Sequence, residues 1–165
     1  MSSKRAINVY SEIGKLRSVL LHRPGREIEN LTPDALDRLL FDDIPFLDIA
    51  TYEHDAFAKI LIDNGIEVLY LEDLAAEAIT DKKIKNEFVD EFIKEANIHG
   101  NIRKKLVKDF LMNIDTNKNM VLNMMEGIKK VNIPNYSETS LSDMVEASNP
   151  FISDALPNLY FTRDP

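Results

Sequence analysis

The hydrophobic positions change rhythm twice along the chain. Two β-rich runs come first, Ile7-Asn8-Val9-Tyr10 and Leu16-Arg17-Ser18-Val19-Leu20-Leu21-His22, punctuated by Gly14 and by an Arg23-Pro24-Gly25 turn. Thr32-Pro33-Asp34 reads as a helix start: Thr32 can cap it, Pro33 suits the first turn and Asp34 complements the dipole. The body of that helix runs to Leu40. A longer helix is expected from about Asp48 to a stop at Asn64-Gly65, with Ala50, Phe57, Ile60 and Leu61 on one side. Ile66-Glu67-Val68-Leu69-Tyr70-Leu71 then reads as a strand. The order β-β-α-β implies an α/β sheet module.

Residues 74–148 carry helix signals only. Ile84, Phe88, Phe92 and Ala96 fall at four-residue steps, as do Leu106 and Phe110, with Val107, Leu111 and Ile114 beside them. Gly100 and Gly127 sit where C-terminal caps belong, and Ser140-x-x-Asp143 resembles an N-terminal capping box. Four or five helices of this length make a small bundle. Strand character returns at residues 151–164. The expected organisation is therefore an α/β domain of residues 1–73 plus 149–165, interrupted by an inserted helical bundle of residues 74–148.

Composition narrows the chemistry. Over 165 residues, 44% apolar and 29% charged content is that of a globular chain able to bury a core. A net charge of −8 argues against a nucleic-acid partner, which would need a basic face. The same charge mildly favours a cationic small ligand, although solubility explains it as well. No apolar run approaches the roughly 18–20 residues that span a bilayer, so no membrane association is expected. Met1-Ser2-Ser3-Lys4-Arg5-Ala6 leads into no apolar stretch, so no signal peptide is expected either and the cytoplasm is the expected compartment. The chain has no cysteine, hence no disulfide, no thiolate zinc site and no cysteine nucleophile of its own.

The histidines His22, His54 and His99 stand alone, none with a second histidine at ligand spacing, and read as turn, solvated-face and cap residues. No metal site and no cofactor are expected. Met120, Met124 and Met125 lack cysteine or histidine nearby and read as core filling. Phe41-Asp42-Asp43 has two readings: Asp43 or Asp48 caps the following helix, or the pair borders a pocket that accepts a cation.

The densest chemistry lies in Leu156-Pro157-Asn158-Leu159-Tyr160-Phe161-Thr162-Arg163-Asp164-Pro165, which reads as a strand running into a pocket and being cut. In a strand over 158–162, Asn158, Tyr160 and Thr162 share one face while Leu159 and Phe161 take the other. Pro165 would keep Asp164 extended at a strand's C-terminal end, where open α/β sheets place ligands. A carboxylate there can accept two parallel N–H bonds from a guanidinium, and Arg163 can grip a carboxylate. The competing account is an ordinary surface Arg-Asp pair, which contributes little.

Residues 156–164 resemble the site-bearing strand of arginine deiminases, members of the guanidino-group-modifying enzymes. The resemblance extends to Val9-Tyr10-Ser11-Glu12-Ile13-Gly14-Lys15-Leu16-Arg17, to His22-Arg23-Pro24-Gly25, to Leu31-Thr32-Pro33 and to Leu39-Leu40-Phe41-Asp42-Asp43. It implies a five-bladed α/β propeller of ββαβ modules, this chain being the first module with the helical bundle inserted. It implies L-arginine as substrate, hydrolysed to L-citrulline and ammonia through a covalent cysteine intermediate, with a histidine as acid and base. Carried over by position, Asp164 is a guanidinium-binding catalytic aspartate. Asn158, Phe161 and Arg163 are substrate-pocket residues, with Asn158 at the amino-acid end of the ligand, and Leu40 belongs to the loop that covers the pocket.

Strict alternation sets Phe161 and Arg163 opposite Asn158, so a shared pocket requires a break near Arg163. The family's cysteine, histidine, second aspartate and glutamate have no counterpart in these residues. The expectation is therefore an N-terminal portion, inactive alone, with apolar edges prone to self-association, and a homo-oligomer when full length. Agmatine- and dimethylarginine-type guanidino hydrolases share the scaffold, and a stand-alone interaction module derived from the family is the remaining alternative.

Overall fold

The computed structural model describes residues 9, 11, 13–134, 136 and 149–164, with the side chains of Asp34 and Asp164 outside the description. The first expected strand, residues 7–10, and the Ser140-x-x-Asp143 box fall largely or wholly outside the described residues, as does Pro165. Strands β1 (Ser18–Leu21) and β2 (Glu67–Tyr70) pair in parallel, Ser18 opposite Glu67 and Leu21 opposite Tyr70. Parallel strands need a long crossover. Here it consists of α1 (Arg26–Glu29), a 3₁₀ turn at Pro33–Ala35, α2 (Leu36–Leu39) and α3 (Leu47–Asp63). Val19 and Leu21 pack with Ala58, and Leu16, Leu61, Ile66, Val68 and Tyr70 complete this small core.

The face that α3 buries differs from expectation. Ala50, His54 and Ala58 form its buried row, while Phe57 and Ile60 are 40% and 61% exposed. Small residues at 50 and 58 let the helix lie close to the sheet, and the bulkier Phe57 and Ile60 are turned aside. Neither Asp43 nor Asp48 caps α3. Its N-cap is Phe46, and the Asp43 carboxylate instead accepts from the neighbouring Ile44 N–H at 2.7 Å. Thr32 is extended at the N-cap of the 3₁₀ turn but makes no side-chain capping bond.

Four further helices follow: α4 (Leu71–Ala78), α5 (Lys82–Glu95), α6 (Asn101–Met112) and α7 (Asn117–Glu126). They enclose a second core in which Val89, Val107, Leu111 and Met120 are wholly buried, with Met124 and Met125 filling between them as expected. In α5 the inward row is Val89 and Ile93, one residue round from the expected Ile84 and Phe88, which are 37% and 38% exposed. A mixed apolar stripe leaves that one-residue choice to whichever neighbours it meets. Capping also corrects the sequence reading. Asp81 accepts from Lys83 and Ile84 N–H at the start of α5, and Thr116 accepts from Asn119 N–H at the start of α7. Gly100 precedes α6 rather than ending α5, whereas Gly127 does close α7 at φ +82°.

The stretch 74–148 is not purely helical. Strand β3 (Ile128–Lys129) pairs antiparallel with β4 (Phe151–Ser153). Leu71, Ile152 and Leu159 pack onto the helical core from outside that stretch. A 3₁₀ helix, Pro157–Phe161, then leads to β5 (Arg163–Asp164), which joins the other edge of β1 in antiparallel sense. The sheet order is β2-β1-β5. Helix and sheet together make this an α/β chain.

Candidate functional site

The segment that carries most of the expected site is not a strand over 158–162. Pro157 presets a helical φ at the first position, and Leu159 N–H to Leu156 O and Thr162 N–H to Leu159 O close successive 3₁₀ turns. Extended backbone begins only at Thr162, and pairing only at Arg163. The alternation that would set Asn158 against Phe161 and Arg163 therefore does not apply. The backbone changes from 3₁₀ to extended between Phe161 and Arg163.

Register then places the last two residues. Arg163 lies opposite Leu21 and Asp164 opposite Leu20, at the C-terminal half of β1. The C-terminal ends of parallel strands are where open α/β sheets bind ligands. The Asp164 side chain lies outside the described residues, so its position is carried by the backbone alone. Arg163 donates to the carbonyls of Tyr160 and Thr162 at 2.9 and 2.6 Å. Its guanidinium carbon lies 5.4 Å from the Phe57 ring centre and 5.9 Å from that of Tyr160, a cation–π arrangement with both rings.

Phe41, the neighbour of Leu40, and Phe161 come together although far apart in sequence. The Phe41 ring is 5.5 Å from that of Phe161, which in turn meets Tyr160 edge-on at 5.1 Å. Leu40, one residue before, sits in the left-handed region at φ +60°, ψ +37° and is 89% exposed. A branched leucine rarely adopts that conformation, and such outliers cluster at ligand clamps. Asn158 is exposed on the 3₁₀ helix. Phe41, Phe161 and Tyr160 thus form one aromatic cluster, with Leu40 beside it in sequence and Asn158 on the same short helix as Phe161. A separate cleft of about 470 Å³, lined by Thr32, Arg38, Leu39, Phe151, Asp154 and Pro157 among others, contains none of the expected site residues.

The histidines depart furthest from expectation. His22, one residue past β1, is wholly buried between two carboxylates: Nε2 donates to Glu27 Oε1 and Nδ1 to Glu72 Oε2, each at 3.0 Å. Burial disfavours its charge, but the bonds to Glu27 and then Glu72 outweigh burial and raise its pKa to about 9. Glu27 Oε1 also accepts from Gly25 N–H at 2.6 Å. His54, expected on a solvated face, is 3% exposed and stacks at a tilt 6.0 Å from Tyr70. Burial first, then the Arg163 charge, lowers its pKa and keeps it neutral. His99 is exposed. Arg23 beside His22 makes a bidentate pair with Asp55, both bonds 2.9 Å, which holds the Asp55 carboxyl below its usual range. The sequence signal for the buried trio is a His-x-x-x-x-Glu spacing across a Pro-Gly turn, and nothing in the sequence points to Glu72.

Among the described residues, no group of three His, Cys, Asp or Glu side chains is arranged so as to hold a metal ion, and no helix is long and apolar enough to cross a membrane.

The arginine deiminase family model matches residues 37–165. An arginine deiminase of Streptococcus pyogenes serotype M3 (strain ATCC BAA-595 / MGAS315) is 56% identical over 167 residues, covering 100% of this chain and 41% of that protein. Arginine deiminases of Streptococcus equi subsp. zooepidemicus (strain MGCS10565) and Streptococcus equi subsp. equi (strain 4047) are 55% identical with the same coverage. The chain therefore spans 41% of the length of these curated relatives.

Proposed function

The chain belongs to the arginine deiminase family, and on that premise we propose that it forms one wall of a site that hydrolyses L-arginine to L-citrulline and ammonia. The observation that supports the reading is the contact of Phe41, the neighbour of Leu40, with Phe161, two residues before β5. In this reading Asp164 holds the planar guanidinium through paired N–H···O bonds. Phe161 and Arg163 line the pocket, Asn158 meets the amino-acid end, and Leu40 covers it.

The chemistry needs a cysteine sulfur to attack the guanidinium carbon, a C–N bond to break with ammonia as leaving group, and water to hydrolyse the resulting covalent intermediate. These residues contain no cysteine. The nucleophile, the acid–base histidine, the second aspartate and the glutamate are assigned to polypeptide outside them. Residues 1–73 and 149–165 then act as the first ββαβ module of a five-bladed propeller, with residues 74–148 as its inserted bundle. The substrate is a small molecule, and the working enzyme is a cytoplasmic homo-oligomer needing no cofactor.

The test is citrulline formation. The full-length protein should convert arginine and leave agmatine unchanged, while the 165-residue chain alone should convert neither. Turnover by the isolated chain, or a full-length protein inert toward arginine, would overturn the reading.

A further inference from the structure

The Glu27–His22–Glu72 trio is an expensive way to hold three segments together. One imidazolium between two carboxylates leaves a net negative charge in the interior, and Glu27 Oε2 has no partner among the described residues. Apolar residues of similar volume commonly hold elements together as well or better than buried ions do. What an ionic trio adds is direction: two 3.0 Å bonds on opposite sides of one ring fix both its position and its plane.

Its location gives that direction a use. His22 continues β1, Glu27 lies on α1, and Glu72 is the second residue of α4, which follows β2 without a gap. All three therefore meet at the C-terminal end of the parallel pair. That same end of β1 is the template for β5: Leu21, the residue before His22, lies opposite Arg163, and Leu20 opposite Asp164. Among the described residues, Arg23 with Asp55, and beyond them His54, Tyr70 and Arg163, lie around the trio, and Glu126 faces Glu27. Gly25 fits the arrangement, because a Cβ there would stand 2.8 Å from Glu27 Oε2.

We propose that Glu27, His22 and Glu72 are positioning residues: they clamp the end of β1 and so set where β5 presents Arg163 and Asp164. The consequence for arginine binding rests on the deiminase reading above, while the clamp itself does not.

Glu72→Gln keeps the shape and an oxygen that still accepts from Nδ1, but removes one charge. By amide hydrogen exchange on the 165-residue chain, the β1–β5 ladder should exchange about tenfold or more faster in this variant, the loss expected for a charge-assisted bond. The buried helical amides at Val89, Val107 and Leu111 should change less than about twofold. Glu27→Gln provides the same comparison should Glu72→Gln not fold. Equal acceleration everywhere, or an unchanged ladder, would overturn the clamp. In the full-length protein, Glu72→Gln should raise KM for arginine about tenfold with kcat per folded enzyme much less affected. A fall in active fraction at constant KM would reduce the trio to a merely structural role and overturn the proposal. A wild-type protein that makes no citrulline would sink the deiminase reading and leave the exchange result to decide the clamp.

Discussion

The buried imidazolium makes a sharp prediction about stability above neutral pH. The perturbation is pH alone. His22 titrates at 6.5 unfolded and at about 9 folded, because the protonated ring donates to Glu27 and Glu72 at once. With the folded value raised, the stabilisation is complete below about pH 6.5 and is lost as pH climbs through about 9. At 1.36 kcal/mol for each pKa unit, the interval corresponds to roughly 3 kcal/mol. That is a large share of the roughly 5–15 kcal/mol typical of a whole domain. His54 works in the opposite direction: its lowered pKa means that the unfolded chain takes up the proton first, so stability also falls as pH drops below about 6.5. A maximum near neutrality follows. Urea unfolding followed by far-UV circular dichroism, at steps from about pH 6.5 to about pH 9, measures the slope. The half-buried Tyr70, whose pKa is raised from 10.0 chiefly by burial, titrates above this window. His22→Gln should lower stability at pH 6.5 and flatten the slope. Stability constant within about 0.5 kcal/mol across the window, or an undiminished slope in the variant, would refute the clamped imidazolium.

Two packing predictions accompany it. Gly127 closes α7 at φ +82°, ψ +150°, and a methyl group there would stand only 2.7 Å from Ala155 N and 2.9 Å from Ser153 O, so Gly127→Ala meets backbone on one side and a disfavoured conformation on the other. It should cost about 3 kcal/mol or more and lower the urea midpoint, and a midpoint unchanged from wild type would count against the close approach of α7 to the β3–β4 pair. Leu111 is wholly buried among α4–α7, and Leu111→Ala should cost about 2–5 kcal/mol through lost transfer energy and a cavity, read from the same unfolding curves.

Much of the architecture is legible in local pattern. The strands at 18–21 and 67–70, the long helix ending at Asn64-Gly65, the helical stretch to Gly127 and the methionine-filled core all follow from period, turn residues and side-chain volume. The family is legible too, because its motifs are strings of particular residues and need no geometry to be seen.

Other features depend on contacts between distant segments. Which stripe of α3 and α5 turns inward is decided by the elements they meet, since each helix carries two usable apolar rows. Pro157 and the 3₁₀ bonds after it compete with strand formation, and the alternating pattern of residues 158–162 cannot weigh them. The site is divided in the same way. Leu40, Asn158, Phe161, Arg163 and Asp164 are proposed from their motifs, but the Phe41–Phe161 contact and the register of β5 on β1 exist only in three dimensions. His22 marks the boundary most clearly. By itself the sequence determined a histidine at a strand's end followed by a Pro-Gly turn. Only the tertiary structure brought Glu72, 50 residues away, to its other nitrogen, and the second carboxylate made a turn residue into a buried cation.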